Sequence, residues 1–303
     1  MAEMEDSITG LDEATNLQRL LIKRVLEDIV PSFETLLKQT KEERLIWKER
    51  ALKAEDKVSL LERQLKEKTN QVQQFKSSYQ GQYQLMMKTG AVLSEVVWKS
   101  FKNHTNVKLL VQAEETMDKY CALSLGIIDS FLQAFRTEMP PSHSLEYVFM
   151  IGVIGALANL AAFSEGRNFL AKEENGLQLL KKLLTEQEHW GLTQGKCMKR
   201  IVLTLAYNMT LVDNVALFVL SEEMLTNAIL KCLGVNDAPD VVSAAMLLIY
   251  RLLEVSFHAG IPSALPEKIP WSLIRSMTTS SDPQLEGNSK MLMEFMETFA
   301  GSS

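Results

Sequence analysis

Apolar residues repeat with a heptad spacing through the first third of the sequence. When Val58 is assigned to position a, most a and d positions from Leu26 to Met86 are apolar. This spacing places a narrow apolar stripe on one helix face, which is buried only against another helix. The stripe predicts an oligomerising coiled coil within residues 1–88, and the residues expected to pack between chains are Ala51, Ala54, Val58, Leu61, Leu65, Val72 and Phe75. Pro31 is expected to start or kink this helix.

Charged residues beside the stripe favour a parallel pair of identical chains. In such a pair, position g of one helix faces position e of the next heptad on its partner. The facing pairs here are Glu43 with Lys48, Arg50 with Glu55, and Lys57 with Glu62. Because all three pairs combine opposite charges, they favour self-association in register. The alternative is a solvated single helix that folds back on the chain's own domain.

Broader apolar faces replace the heptad pattern from about Thr89, and alternating strand patterns are almost absent. Two helices, TGAVLSEVVWKSF and VKLLVQAEETMDKYCALSLGIIDSFLQAF, are predicted on either side of residues 103–106. The segment RTEMPPSHS, residues 136–144, is predicted to be a linker because its two prolines cannot continue a helix. We therefore predict an all-α chain with a second domain at residues 89–303 and a domain or subdomain joint near residues 136–144.

The most apolar run, from Tyr147 to Phe163, contains no charged side chain. A membrane-spanning helix needs about 20 apolar residues, and this run reaches Ser164 and Glu165 too soon. It also lacks flanking basic or aromatic anchors. A helix enclosed within the domain is therefore favoured over a membrane span.

Three later segments each contain an apolar helix, a turn and a second apolar helix. Asn159, Asn208 and, less clearly, Arg251 occupy equivalent places in the first helix of each segment. Their spacing suits a solenoid unit of about 40 to 47 residues with three helices, and residues 184–196 form one inserted loop. Because each unit buries its apolar helix against the next, the first such helix should be enclosed nearly all round.

The segment GALANLAAFSEGRNFLAKEENGLQLLKKLL resembles an armadillo repeat. In armadillo proteins, the asparagine of this helix lines a concave groove and hydrogen-bonds the backbone of an extended peptide. The resemblance implies this role for Asn159 and Asn208, and a side-chain amide suits it because it both donates and accepts hydrogen bonds. The alternative is that each asparagine satisfies the backbone of a neighbouring loop inside the solenoid. The fold class is thus a coiled-coil helix followed by an armadillo-like α-solenoid.

A longer resemblance covers most of the chain. The heptad helix, GAVLSEVVW, VFMIGVIGALANLAAFSEGRNFL and LTLAYNMTL, in that order, are similar to the heat shock factor 2-binding protein family. The resemblance implies a non-enzymatic adaptor in meiotic homologous recombination. Its armadillo domain would bind a disordered segment of the breast-cancer type-2 susceptibility protein and direct recombinase loading to double-strand breaks. Arg167 matches a family arginine of that partner surface, and the alternative is an ion pair with Glu165 or Glu173.

The same resemblance implies further partners and a location. The coiled coil would bind a meiotic partner protein as well as a second copy of the chain, and heat shock factor 2 is another candidate partner. The expected location is the nucleus, on meiotic chromosomes, and the cytoplasm. A different class of function is also open: a structural coiled-coil scaffold of the cytoskeleton or centrosome, in which the helical domain only caps the rod.

The charge pattern gives little support for a nucleic-acid ligand. The chain has 32 Lys and Arg against 38 Asp and Glu, a net charge of −6, and no long basic block. We therefore expect no direct nucleic-acid or membrane partner. Lys196, Lys199 and Arg200 lie at i, i+3 and i+4, so they form one basic helical face for an anionic partner. Such a cluster is more often only a solvated face.

The sequence lacks recognisable patterns for catalysis or metal binding. The cysteines, Cys121, Cys197 and Cys232, are widely spaced and free of a CxxC or His-rich pattern. The four histidines are isolated, and no GxSxG, P-loop, GxGxxG or HExxH motif occurs. We therefore expect no enzyme, no metal and no cofactor. The cysteines indicate a reducing compartment. The acidic, polar N-terminus differs from the basic and apolar regions of a signal peptide, so we do not expect secretion.

Overall fold

The structure is a computed structural model that describes residues 15–187, 190, 195–234, 237–261 and 264–300. Within these residues the chain forms helices and connecting turns, and no strand. The all-α prediction is therefore confirmed. Internal contacts divide the chain into two units between Gly81 and Gln82, slightly before the predicted boundary at residue 88. Residues 1–14 of the predicted first domain lie outside the described residues.

The longest element, α1, spans Val30–Ser100 and has 71 residues. Residues 15–24 are also helical, and a π-helical turn, Val25–Ile29, separates them from α1. Pro31 follows this turn directly. Proline lacks a backbone N–H, and its ring crowds the carbonyl four residues earlier, while a π turn changes the hydrogen-bond spacing at that point. Pro31 therefore lies where π-helical geometry gives way to α-helical geometry, and the chain stays helical on both sides.

The second unit contains residues 82–100 of α1 and twelve further α-helices among the described residues. They are α2 (His104–Val111), α3 (Glu114–Ala134), α4 (Leu145–Ala162), α5 (Ser164–Lys172), α6 (Glu174–Glu186), α7 (Lys196–Thr210), α8 (Asp213–Ser221), α9 (Glu223–Leu230), α10 (Pro239–His258), α11 (Leu265–Lys268), α12 (Trp271–Met277) and α13 (Pro283–Ala300). A 3-10 turn, Lys231–Leu233, follows α9. The second predicted helix of the sequence is thus two helices, α2 and α3, that meet at Gln112 and Ala113.

Four long helices of the second unit stack in one row. α4 packs on α7, α7 on α10, and α10 on α13, and each of α7, α10 and α13 is preceded by two shorter helices. Their facing side chains, among them Ile154, Leu205 and Leu252, are fully buried. This arrangement repeats a three-helix unit, as the spacing of Asn159 and Asn208 predicts.

The C-terminal part of α1 stands at the start of this row. Its helix approaches α4 closely at two glycines: a Cβ at Gly152 would lie 2.2 Å from the Ser94 hydroxyl oxygen, and a Cβ at Gly155 would lie 2.7 Å from the Trp98 ring. The glycine pair in the apolar run is therefore explained by close helix packing. The Tyr83 hydroxyl also lies 2.9 Å from a carboxylate oxygen of Glu146, in the first turn of α4.

Helix α4 corresponds to the charge-free run of the sequence. It has 18 residues, and α4 and α10 are long and apolar enough to cross a membrane by length and composition alone. The expectation that this run is too short is therefore wrong. About six tenths of the apolar window of each helix, 61%, is nevertheless buried against the rest of the protein. Packing within the solenoid thus accounts for the apolar composition of both helices.

The turns between helices depend on glycine at two equivalent places. A Cβ at Gly166 would lie 2.0 Å from the carbonyl oxygen of Leu160, and a Cβ at Gly176 would lie 2.1 Å from that of Leu170. These distances are far below van der Waals contact. Each glycine therefore lets the start of one helix cross closely over the end of the previous helix.

The segment at residues 136–144 connects α3 to α4 inside the second unit. Met139 and Pro140 are buried in it, so it is part of the packed domain and not a joint between domains. The predicted inserted loop at residues 184–196 begins inside α6 and ends at the first residue of α7. Its residues 188–189 and 191–194 lie outside the described residues.

Candidate protein-interaction surfaces

One side chain of each long helix donates a hydrogen bond to a backbone carbonyl oxygen of the preceding long helix. Together these bonds form a ladder along the row. The Asn159 amide nitrogen donates to the Trp98 carbonyl oxygen at 2.9 Å, and that of Asn208 donates to the Ala158 carbonyl oxygen at 3.1 Å. Arg251 Nε donates to the Thr210 carbonyl oxygen at 3.1 Å, and the Asn288 amide donates to the Ser243 carbonyl oxygen at 3.2 Å. The three residues aligned from the sequence are thus equivalent, and Asn288 is a fourth member that the sequence reading missed.

The ladder changes the interpretation of the two asparagines. Their amide N–H groups donate to backbone carbonyl oxygens inside the solenoid, as in the alternative interpretation, but these acceptors lie in a neighbouring helix and not in a loop. Both side chains are half-buried, and their amide oxygens accept no hydrogen bond from any described residue. Asn208 bonds the residue next to Asn159, so the two amides lie close together on adjacent helices. Each can still accept one hydrogen bond from a bound peptide backbone.

Arg167 lies in α5, on a different helix from the asparagines. Its side chain is half-buried and forms no hydrogen bond or ion pair with any described residue. The alternative ion pair with Glu165 or Glu173 is absent from the structure. Residues two apart on a helix do not face each other, which accounts for Glu165. Arg167 therefore presents a guanidinium group that a carboxylate or carbonyl group of a partner could bind.

The three residues of the predicted basic face of α7 differ in their exposure to solvent. Lys199 is only 7% exposed, and its Nζ lies 3.4 Å from the Asp237 carboxylate, whose side chain is also buried. Arg200 is exposed and pairs with Asp240 at 3.6 Å. Lys196 is exposed without an ion pair among the described residues. The prediction of a shared basic face is thus wrong, because Lys199 turns inward to pair with an acid in the turn before α10.

Arg251 is anchored inside the second unit. Besides the Thr210 carbonyl, its guanidinium contacts Asp213 at 2.5 Å and Glu254 at 2.6 Å. The side chain of Arg251 is only 16% exposed. It therefore ties α7, α8 and α10 together and is not a candidate for partner binding.

Another contact within the second unit joins α2 to α5. His104 Nε2 lies 3.0 and 3.1 Å from the two carboxylate oxygens of Glu165, and the His104 ring stacks on Phe163 with centroids 5.1 Å apart. Hydrogen bonds from its own backbone N–H, from His104 and from the Ser164 hydroxyl lower the pKa of Glu165 to about 2. Periodicity does not reveal this contact, because the two residues are 61 positions apart in the sequence.

Burial makes one of the three cysteines, Cys121, unreactive. Cys121 is buried, and burial, reinforced by Asp118 and Glu173, raises the pKa of its thiol to about 12. Cys232 is also buried, and Cys197 is half-buried. A thiol with so high a pKa is a poor nucleophile at neutral pH.

The heptad stripe of α1 is open to solvent along the first unit. All seven residues expected to pack between chains are exposed, with Val58 at 54%, Leu65 at 69% and Phe75 at 74%. The six charged residues of the predicted e and g pairs form no ion pair with any residue that the structure describes. Arg50 lies over the Trp47 ring, 5.2 Å from its centroid. Both the stripe and its flanking charges are thus available to a second helix.

The stacked three-helix units and their hydrogen-bond ladder define an armadillo-like helical-repeat domain, a class of protein-binding module, preceded by a long helix. Comparison with known proteins shows a similarity to one family over this domain. Residues 87–214 match the family model described as the heat shock factor 2-binding protein ARM-like domain. These residues of the chain are therefore similar to the ARM-like domain of that family, in agreement with the resemblance seen in the sequence.

A mouse protein named heat shock factor 2-binding protein shows the same relationship over a longer range. It is 23% identical to this chain over 208 residues, which cover 68% of the chain and 60% of the mouse protein. The aligned part is thus less than two thirds of the relative's length. Both the family model and the relative are named for protein binding and not for an enzymatic reaction.

Proposed function

We propose that this chain is a non-enzymatic adaptor that self-associates through the heptad stripe of α1 and binds an extended protein segment on its ARM-like domain. The observation that carries the proposal is Arg167, a half-buried side chain that no other described residue pairs with, inside the region that matches the family model. The amide oxygens of Asn159 and Asn208 add two hydrogen-bond acceptors on adjacent helices.

The partner that we propose is a disordered segment of the breast-cancer type-2 susceptibility protein. The chain would act in meiotic homologous recombination, in the nucleus and the cytoplasm, and would localise recombinase loading to double-strand breaks. The family resemblance supports this assignment. A disordered segment suits the surface, because backbone hydrogen bonds and one charged contact can hold an extended peptide without a deep pocket.

Calorimetric titration of the full chain tests this proposal. Overlapping peptides from the disordered regions of the susceptibility protein are titrated into the wild-type chain, and one segment should release heat with 1:1 stoichiometry per ARM-like domain. Arg167→Ala should weaken that binding at least about tenfold, as expected for loss of a charge-assisted hydrogen bond. Lys172→Ala is the matched control, because Lys172 is an exposed cation on the same helix.

Two outcomes would contradict the proposal. If no peptide releases heat while circular dichroism shows a folded chain, the ARM-like domain does not bind this partner. If Arg167→Ala and Lys172→Ala weaken binding equally, general charge attraction replaces a specific contact. The mouse relative is named for binding heat shock factor 2, so a fragment series of that factor forms a second arm of the same titration.

A further inference from the structure

The first two rungs of the hydrogen-bond ladder share one geometric relation. Asn208 donates to the carbonyl oxygen of Ala158, which is the residue just before Asn159. Asn159 in turn donates to the carbonyl oxygen of Trp98, and the residue that follows Trp98 is Lys99. Lys99 therefore occupies the position on α1 that Asn159 occupies on α4.

Lys99 differs from the two asparagines because its helix begins the row. Among the described residues, no earlier helix of the row offers a carbonyl group to its side chain. The side chain is 68% exposed, and its Nζ lies 2.6 Å from a carboxylate oxygen of Glu95, one helical turn earlier. The ladder position of α1 is thus a cation in solvent with one intrachain carboxylate beside it.

The contact between Lys99 and Glu95 is of a kind that exchanges easily. The hydrogen bond and the charge of Lys99 lower the pKa of the Glu95 carboxyl, so this group is an anion at neutral pH. Both side chains are exposed, and exposed ion pairs between residues four apart on a helix contribute little to stability. A carboxylate from another chain can therefore replace that of Glu95 at small cost.

The other ladder positions do not offer an exposed charge. Asn159, Asn208 and Asn288 are neutral amides, and Arg251 is only 16% exposed and held by Asp213 and Glu254. Among the ladder positions that the structure describes, the exposed charge thus lies at the N-terminal end of the row.

We propose that Lys99 binds an Asp or Glu side chain of the same extended segment whose backbone N–H groups donate to Asn159 and Asn208. Glu95 occupies the ammonium group in the free chain, and the carboxylate of the partner displaces it. This inference rests on the proposed binding of an extended segment by the ARM-like domain, and it defines one charged feature that this segment must have.

The spacing of the helices defines where that feature lies. Packed helices are about 8–10 Å apart, and an extended chain advances about 3.3 Å per residue. One step of the ladder therefore corresponds to about three residues of the bound segment. The acidic residue should lie about three residues from the one that bonds Asn159, and about six from the one that bonds Asn208.

A purely structural role is the alternative for Lys99. It lies in the last turn of α1, where a cation interacts favourably with the carbonyl groups at the helix end. In that role, removal of Glu95 leaves partner binding unchanged. In the proposed role, removal of Glu95 frees the ammonium group and strengthens binding.

Calorimetric titration of the full chain with the segment of the susceptibility protein that binds the wild type tests this assignment. Lys99→Ala should weaken binding about threefold to tenfold at low salt, and Lys99→Arg should retain it. Glu95→Gln should strengthen binding about twofold to threefold. Lys88→Ala is the matched control, because Lys88 is an exposed lysine about three turns earlier on the same face of α1, away from the ladder.

Changes in the segment locate the other half of the contact. Each Asp or Glu of the segment is replaced in turn by its amide. One replacement should weaken binding as much as Lys99→Ala does, and combining the two changes should give no further loss. Methylation of the backbone nitrogen about three residues from that position should weaken binding separately, because it removes a donor to Asn159.

The outcomes separate this inference from the proposed function. A loss in Lys99→Ala and a gain in Glu95→Gln, with Lys88→Ala neutral, support it. A loss in Arg167→Ala without a loss in Lys99→Ala overturns it and leaves the proposed function intact. Equal losses in Lys99→Ala and Lys88→Ala show general charge attraction and overturn it. An unchanged Glu95→Gln variant assigns Lys99 to the helix end and also overturns it.

A second probe is used if no segment of the susceptibility protein binds. Phage-displayed peptides of about 12 residues, long enough to span three ladder positions, are then selected on the wild-type chain. Enrichment of an acidic residue at one position, with binding lost on the Lys99→Ala chain, would support the assignment with a different partner. Selected peptides that bind both chains equally, or no enrichment at all, would overturn it.

Discussion

The heptad segment of α1 and the stacked helices of the ARM-like domain use the same apolar residue types with opposite results. In the domain, Leu157, Leu205 and Leu252 are at most 1% exposed. In the heptad segment, Leu61 is 53% and Leu65 is 69% exposed. The difference follows from the width of the apolar face. Helices with broad faces find partners within the chain, whereas a narrow stripe with a period of 3.5 residues needs another coiled helix.

This comparison also separates what each region needs to be stable. Full burial of a Leu or Val side chain contributes about 1.5–3 kcal/mol, and the heptad segment leaves that contribution unused in a single chain. Changes in the domain should therefore alter the unfolding free energy. Changes in the heptad segment should alter association and leave the folding of the domain intact.

The largest effect on the domain is expected for Gly166→Ala. Its Cβ would lie 2.0 Å from the carbonyl oxygen of Leu160, so the turn between α4 and α5 must open. We expect a loss of about 4 kcal/mol in unfolding free energy, measured by denaturant titration followed by circular dichroism. Gly287→Ala is the control, because no atom lies within 4 Å of its Cβ, and it should stabilise by up to about 1 kcal/mol. A milder change at Gly166 than at Gly287 would contradict this account of the turn.

Removal of the buried cation in α7 should have the next largest effect. Lys199→Met leaves the Asp237 carboxylate without its partner in a buried position, at a cost of roughly 3 kcal/mol. The exposed Lys196→Met should change the unfolding free energy by less than about 0.5 kcal/mol. Lys199→Met with Asp237→Leu should recover most of the loss, because the uncompensated charge is gone. Equal costs for the Lys199 and Lys196 variants would exclude a buried pair.

A charge within the heptad stripe should weaken self-association and leave the folding of the domain intact. Val58→Glu places two like charges against each other in the pair and should raise the dissociation constant at least about 100-fold, or about 2.7 kcal/mol. Ser59→Glu adds the same charge at the adjacent b position, away from the stripe, and should leave association nearly unchanged. Light scattering after gel filtration measures the mass of both variants. A monomeric wild-type chain at micromolar concentration would disprove the assigned role of the stripe.

A single rung of the hydrogen-bond ladder should contribute less. Asn208→Ala removes the donor to the Ala158 carbonyl and should lower the unfolding free energy by about 1 kcal/mol. Thr204→Ala, one turn earlier on α7, affects only an exposed bond within its own helix and should cost about half of this or less. Thermal unfolding followed at 222 nm distinguishes the two variants. The dissociation constant of the assembled chain should not change in either.

The smallest effect is expected at the charged flanks of the stripe. Lys57→Glu converts one attractive pair into a repulsive pair and should weaken association roughly twofold to fivefold at low salt. Lys57→Glu with Glu62→Lys restores opposite charges and should recover the wild-type dissociation constant. Sedimentation equilibrium at two salt concentrations measures both. Failure of the double variant to recover would favour an antiparallel or shifted pair.

Sequence periodicity was sufficient for the architecture of the chain. The heptad stripe, the enclosed helix around Ile154 and the equivalence of Asn159 with Asn208 each depend on spacing along one helix, which a sequence displays directly. Periodicity does not predict the burial of Lys199, because its partner Asp237 lies in the turn before α10, 38 positions further along the sequence. The pair of His104 with Glu165 depends likewise on how two helices cross in space.

The assignment of surfaces was less accessible from sequence than the assignment of helices. An asparagine in a repeat helix has the same identity whether it binds a peptide or the neighbouring helix, and only the contact to Ala158 distinguishes the two for Asn208. Length was also misjudged at α4, where the packed helix extends N-terminally to Leu145 because Ser144 accepts a hydrogen bond from the Tyr147 amide. Caps of this kind set helix ends within one or two residues of a sequence-based boundary.

Every rung of the ladder has its donor in one repeat and its acceptor in the repeat before it. A rung therefore forms only when both repeats are folded, and it links their stabilities as a nearest-neighbour coupling. Such coupling opposes fraying, because a repeat that opens alone also forfeits the bonds on its two sides. Amide hydrogens of the stacked long helices should accordingly exchange with solvent with similar opening free energies, as a single cooperative block.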